Sequence, residues 1–237
     1  MPLNVLYEDN HLIAVFKPAG VLVQGDITGD ACLMDDVKKY LKEKYKKPGA
    51  VFLGLLHRLD RPVSGIVLFA KTSKGASRLS EQIRNHEFKK EYQALVEGAP
   101  KNRKDALKNY LLHDEKTNTS RIFDTPPARL ASESVAGRPA LRVDPSQEGK
   151  IAELFYEVLE DRGKNSLLKI DLKTGRHHQI RAQLAHMGHP IVGDIKYGAR
   201  KPLPDKSIAL CATGLAFKTA TGGKITKISA DYNSFGL

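Results

Sequence analysis

With 237 residues and 41% hydrophobic composition, the chain has enough apolar material for a substantial core and falls outside the disordered class. Its 38 lysines and arginines against 27 aspartates and glutamates give a formal net charge of +11, which points to a polyanionic partner, nucleic acid first. Cys32 and Cys211 lie far apart without Cys-x-x-Cys spacing, and no apolar run approaches the ~20 residues of a membrane span; a disulfide scaffold, a zinc ribbon and a transmembrane protein are therefore excluded, and a cytoplasmic protein without a signal peptide is expected.

Val5 to Gly20 reads as two short strands joined by an Asp9-Asn10 turn and stopped by Pro18-Ala19-Gly20. Asp35 to Lys47 predicts a helix with Val37, Tyr40, Leu41 and Tyr45 on one side and lysines elsewhere, a solvated face with phosphate contact as the alternative. Val51 to Leu56 and Ile66 to Ala70 are apolar and β-rich, and predict two buried strands that hold the segment between them rigidly. That segment, His57-Arg58-Leu59-Asp60-Arg61-Pro62-Val63-Ser64-Gly65, places one carboxylate between two arginines in a loop, with Pro62 biasing Arg61 toward extended backbone. A lone loop aspartate makes a turn hydrogen bond; one flanked by guanidiniums is held ionised and aimed.

Thr72 or Ser73 caps a predicted helix reaching about Asn85, with Ala76, Leu79 and Ile83 at helical spacing. Phe88 to Gly98 alternates as a strand, with Tyr92, Ala94 and Val96 on one face, so that Tyr92 points to a core or a cleft. Lys101 to Lys150 is polar and turn-rich and predicts long loops with short irregular strands. Ala152 to Glu160 and Leu167 to Leu172 predict a hairpin around Asp-Arg-Gly-Lys-Asn. No repeat or linker divides the chain, so a single domain over residues 1–237, a mixed sheet flanked by helices, is the expected architecture.

Thr174 to Pro190 reads as a tight turn into a short helix ended by Gly188 and Pro190. Ile180, Leu184 and Met187 should face the core and the polar residues another side, leaving Arg176 and Arg181 for a carboxylate or for phosphates. His177, His178, His186 and His189 include no His-x-x-x-His pair, no intervening Glu and no Cys cluster, so no metal site is expected. Ser64 lacks a Gly-x-Ser-x-Gly elbow, which speaks against a Ser/His/Asp hydrolase.

His57-Arg58-Leu59-Asp60 with Ser64-Gly65, followed by Thr174-Gly175-Arg176 with His178-Gln179-Ile180-Arg181, resembles the two signatures of the ribosomal large-subunit type of pseudouridine synthase, also called the RluA type. The similarity extends to Tyr7-Glu8-Asp9 through Lys17-Pro18-Ala19-Gly20, to Lys90-Glu91-Tyr92, and to Gly188 through Asp194 with Tyr197-Gly198; only about Lys101 to Lys150 is unmatched. The resemblance implies an α+β catalytic domain on a mixed, largely antiparallel sheet with a central RNA-binding cleft. It implies isomerisation of uridines in structured ribosomal or transfer RNA to pseudouridine, with base flipping and neither cofactor nor metal. A monomer is expected, since no apolar interface stripe stands out.

By the same resemblance Asp60 is the nucleophile, attacking ribose C1′ or uracil C6 or stabilising an oxocarbenium-like centre, and Arg181 is its bidentate partner. Tyr92 stacks on the target base and relays a proton, Arg58 fills the space the base vacates, and Leu210 packs beside it. His57, Arg176 and His178 complete the expected substrate-binding set. Val63, His177 and Cys211 stand where the family often has Thr, a Thr, Ser or Lys, and His, departures that bear on loop hydrogen bonding and RNA contacts. Too few residues precede Val5 for the small RNA-binding domain of many relatives, so recognition is expected from the catalytic domain itself. Two other readings compete: a noncatalytic RNA-binding protein of the same fold, against which Asp60, Tyr92 and Arg181 together stand, and a glycosidic-bond hydrolase, which needs a second acid that the sequence does not place.

Overall fold

The computed structural model describes residues 3–127, 149–223 and 225–231. The predicted opening hairpin is β1 (Val5–Glu8) and β2 (Leu12–Lys17), closed by the Asp9 carboxylate accepting the backbone N–H groups of His11 and Leu12 at 2.7 Å. Next come α1 (Leu33–Lys44), β3 (Gly54–Leu55), β4 (Ser64–Ala70), α2 (Ser73–Arg84) and β5 (Lys89–Glu97). After them run β6 (Lys104–Asp114), β7 (Thr119–Phe123), β8 (Lys150–Asp161), β9 (Asn165–Leu172), α3 (Gln179–His186), a 3-10 turn (Ile195–Tyr197), β10 (Leu210–Lys218) and β11 (Ile225–Ser229). Thr72 caps α2, its hydroxyl accepting the Gly75 N–H at 3.1 Å.

The eleven strands of the described residues join one sheet in the order β1-β2-β4-β10-β5-β9-β8-β6-β7, with β3 beside β4 and β11 beside β10. Every pairing is antiparallel except β10 with β4, so the sheet is mixed and largely antiparallel, as expected for the α+β class. β4 is buried along its whole length because both faces are covered. Val67 and Phe69 pack with Leu33, Val37 and Leu41 of α1, while Ile66, Leu68 and Ala70 pack with Leu79 of α2. That double coverage is why Ile66 to Ala70 reads as a continuous apolar run rather than an alternating one.

Three expectations are corrected. Only Gly54–Leu55 of the apolar run Val51 to Leu56 pairs, beside Phe69 and Ala70, and Phe52 is 51% exposed; the Leu68 N–H of β4 is taken by the His57 side chain of the following loop and not by a longer strand. The first helix begins at Leu33, two residues before Asp35, so that Asp35 and Asp36 lie in the first turn, where the helix dipole favours acids. β6 is a regular strand of 11 residues, paired on both edges with β7 and β8, where loops were expected. Its first half alternates between exposed and half-buried residues, so its polar composition reflects one solvated face, not irregular backbone. The rest of that expectation, on residues 128–148, lies outside the described residues.

At the sheet centre Ser64 and Gly65 pair with Cys211 and Ala212. Gly65 has φ +126°, and a Cβ there would stand 2.4 Å from both the N and the O of Ala212. Gly65→Ala is therefore expected to cost on the order of 3 kcal/mol through strain and overpacking. A lowered urea midpoint at unchanged slope would show it; an unmoved midpoint would refute this account of the β4–β10 contact. Cys32 and Cys211 are buried and unpaired, and among the described residues no helix is long and apolar enough to cross a membrane.

Candidate active site

Residues 56–63 form the loop between β3 and β4, with Asp60 at its turn. The loop is tied down from two sides. The Arg61 carbonyl accepts from the Gly20 N–H at 2.8 Å, the Arg61 Nε donates to the Gly20 carbonyl at 3.0 Å, and the Pro62 carbonyl accepts from the Ile208 N–H at 3.2 Å. Lys17, fully buried, donates its ammonium to the carbonyls of Pro18, Val21 and Arg61. Burial draws the Lys17 ammonium down to about 7, with the Asp60 charge opposing and the Arg61 charge adding to the fall.

Arg181 comes from α3, whose sequence pattern suggested a polar side. The structure corrects this: Gln179, Arg181 and Gln183 are buried along with Ile180 and Leu184, because β6, β8 and the 3-10 turn wrap the helix. The Arg181 Nη1 donates to Asp60 Oδ2 at 2.9 Å. Its Nε and Nη2 donate to the two oxygens of Asp194 at 2.7 and 2.8 Å. The expected bidentate pair with Asp60 is thus a single bond, and the two-pronged pair goes to Asp194, which is 1% exposed and directly before the 3-10 turn. Burial alone would lower the Arg181 guanidinium, but the Asp194 and Asp60 carboxylates outweigh it and hold it above its ordinary value. Its guanidinium carbon also lies 5.0 Å from the centre of the Tyr197 ring.

His178 lines the cleft close beside Asp60. It is 9% exposed, with Nε2 3.3 Å from Asp60 Oδ2 and Nδ1 2.9 Å from the Tyr197 hydroxyl. The Tyr197 hydroxyl in turn accepts the Ser120 N–H at 2.8 Å. Burial pushes the His178 imidazole down to about 3; the Asp60 charge opposes this and the Arg181 charge adds to it.

A cleft of about 520 Å³ opens over Asp60 and is lined by His57, Arg58, Tyr92, Arg176, Arg181 and Leu210 among others. Tyr92 is on the β5 face that alternation predicted, and its phenol is raised by burial, then by the Asp60 charge and by Cys211, so it keeps its proton. Leu210 opens β10, opposite Ala94 of β5. Arg58 is exposed at the cleft, and Arg176, also exposed, donates its Nε to the Ile151 carbonyl at 3.1 Å. His57 serves the loop as well: its Nε2 accepts the Leu68 N–H at 3.1 Å, and its ring lies 5.7 Å from that of Phe88. Among the described residues no lysine of α1 lines the cleft, and Lys44 pairs instead with Glu8 at 2.7 Å.

All eight sequence-predicted residues therefore surround one cleft. Sequence reasoning assigned no role to Asp194, Tyr197, Ser120 or Lys17. Asp194, Tyr197 and Lys17 sit inside segments quoted for the family resemblance, so a signal was present without a contact to interpret it. Ser120 lies in the quarter that resisted reading.

Comparison with known proteins agrees with this geometry. The chain is 33% identical over 211 residues to ribosomal large subunit pseudouridine synthase D of Nitrosomonas europaea, covering 89% of this chain and 54% of that protein. It is 34% identical to tRNA pseudouridine synthase C of Vibrio cholerae, covering 83% of this chain and 74% of that protein. It thus spans about half the length of the ribosomal relative and three quarters of the transfer RNA relative. The human RNA pseudouridylate synthase domain containing 4 shares the fold, with a TM-score of 0.75 at 22% identity over 96% of this chain and 88% of that one. Residues 11–186, which include Asp60, Tyr92 and Arg181, match the RNA pseudouridylate synthase profile, and the chain belongs to that family.

Proposed function

We propose that this chain is an RNA pseudouridine synthase acting on uridines of structured ribosomal or transfer RNA. The observation that carries the reading is the Asp60 carboxylate, anchored through one oxygen by Arg181 and facing a cleft walled by Tyr92 and Leu210. A target base inside a helix must leave its stack to reach Asp60, at a cost of a few kcal/mol. Arg58, exposed at the cleft, suits the vacated space, while Tyr92 and Leu210 offer an aromatic and an aliphatic surface to the base. Asp60 then attacks ribose C1′ or uracil C6, the glycosidic C–N bond breaks, and the base rejoins through C5 as the C5 hydrogen leaves to water. The Tyr92 phenol, which keeps its own proton, can act only as a relay, its oxygen taking up a proton as its O–H passes one on. The hydrolase reading is disfavoured because Asp60 is the sole carboxylate among the described residues lining the cleft.

The test is release of tritium from RNA labelled at uracil C5. The native protein is expected to release it and to yield no free uracil. Free uracil without tritium release would indicate a hydrolase, and RNA binding with neither product a noncatalytic module.

The cleft also extends along Arg58, Arg84, Lys90, Lys173 and Arg176, a basic wall suited to the RNA backbone. Lys90 has no hydrogen bond or ion pair among the described residues, and burial draws its ammonium below the ordinary lysine value, so a phosphate would supply the missing partner. Lys90→Met is expected to raise KM about tenfold, the loss of one charged hydrogen bond, with kcat little changed. The slope of log affinity against log salt should shrink by roughly 1. Unchanged KM and slope would remove Lys90 from the RNA interface.

A further inference from the structure

We propose that His178 is a positioning residue for Asp60 and that Tyr197 sets the tautomer in which it works. The kinetic part of this inference rests on the synthase reading; the structural part does not. His178 bridges two groups, with Nε2 3.3 Å from Asp60 Oδ2 and Nδ1 2.9 Å from the Tyr197 hydroxyl. The imidazole, buried and beside Arg181, carries one proton only at neutral pH. An ion-paired carboxylate has no proton to offer, so the proton between His178 and Asp60 resides on Nε2. Nδ1 is then bare and requires a donor. The Tyr197 phenol, raised to about 12 chiefly by burial, keeps its proton and supplies it. Its oxygen already accepts the Ser120 N–H at 2.8 Å, a donor whose direction cannot reverse. The order runs one way: Ser120 N–H donates to Tyr197, Tyr197 O–H donates to His178 Nδ1, and His178 Nε2–H faces Asp60 Oδ2 across 3.3 Å, a close charge–dipole approach.

The local fold holds the ring in place. His178 occupies the N-cap of α3 with φ +50°, its ring stacks on that of His177 at 3.8 Å, and it meets the Tyr197 ring edge-on at 5.6 Å. Arg181 Nη1 donates to Asp60 Oδ2 and His178 Nε2 approaches the same oxygen to 3.3 Å, while among the described residues Oδ1 accepts no hydrogen bond and is left for attack. Because the imidazole is neutral, it orients the carboxylate without adding a second cation. A second cation would stabilise the free carboxylate more than the ester that forms when Asp60 attacks, and would raise the barrier. The opposite tautomer would set the bare Nε2 lone pair against the carboxylate.

The test combines a spectroscopic and a kinetic measurement. Two-bond 1H–15N correlation of ¹⁵N-histidine-labelled protein at pH 7, with the His178 signals identified by their loss in His178→Gln, is expected to show the neutral Nε2–H form. Tyr197→Phe should shift the population toward Nδ1–H. In single-turnover tritium release, His178→Leu is expected to lower the rate about a hundredfold and Tyr197→Phe about tenfold, with RNA affinity unchanged. His178→Gln, whose side-chain amide can present an N–H near the Nε2 position, should stay within about fivefold of native. Imidazolium or the Nδ1–H tautomer in the native protein, or a native rate in His178→Leu, would overturn the proposal. An inactive native protein would defeat the synthase reading and leave the tautomer to be decided by the spectrum.

Discussion

Asp60→Asn is expected to lower tritium release by about four orders of magnitude or more while leaving the protein folded and bound to RNA. The amide matches the carboxylate in shape but is not a nucleophile, so the step that opens the glycosidic bond has no attacking atom. Its oxygen can still accept from Arg181, which donates to Oδ2 in the native site, with His178 Nε2 3.3 Å away. Arg181 also keeps both oxygens of Asp194, so no buried cation is stranded. The expected signature is therefore a melting temperature and RNA affinity near native values beside a lost rate. A rate within tenfold of native would remove Asp60 from the chemistry and return the fold to the noncatalytic reading.

Arg181→Met is expected to damage both stability and activity. It strands Asp194, which is 1% exposed and loses the guanidinium on both its oxygens, and it releases the Asp60 oxygen that Arg181 anchored. Breaking a buried pair from one side costs about 3–5 kcal/mol, seen as a lowered urea midpoint. Arg181→Lys should recover part of the stability but little of the rate, since one ammonium cannot reproduce a planar fork that serves two carboxylates at once. Adding Asp194→Leu to Arg181→Met should restore stability without activity, because it removes the uncompensated charge and not the need to aim Asp60. If Arg181→Met were as stable as the native protein, the Arg181–Asp194 pair would not be the strut inferred here.

Much of the fold was legible locally. The Asp9 turn, the Thr72 cap, the helical stripe of Ala76, Leu79 and Ile83, and the alternation that turns Tyr92 inward all depend on neighbours within a few residues, and each appears in the structure. β6 was illegible because a strand with one wet face and several charges has the composition of a loop; its pairing on both edges decides its conformation. The polar side expected of α3 failed for a related reason. Gln179 and Gln183 meet the backbone carbonyls of Glu153, Leu107 and Ala152, partners that make burial of an amide favourable and that lie far away in sequence.

The sequence by itself determined the chemical vocabulary: a loop that presents one carboxylate, a helix that carries Arg181, a tyrosine turned to the cleft face, and a positive charge suited to RNA. These follow from residue type and short-range periodicity. Only the tertiary structure decided which atoms meet: that Arg181, 121 residues from Asp60, grips it with one nitrogen and Asp194 with two, and that His178 Nε2 comes within 3.3 Å of the same carboxylate. The physical reason is distance. Ion pairs and hydrogen bonds act over about 3 Å, and which donors come that close to one oxygen depends on how β4, α3 and the 3-10 turn pack together, which local periodicity does not encode.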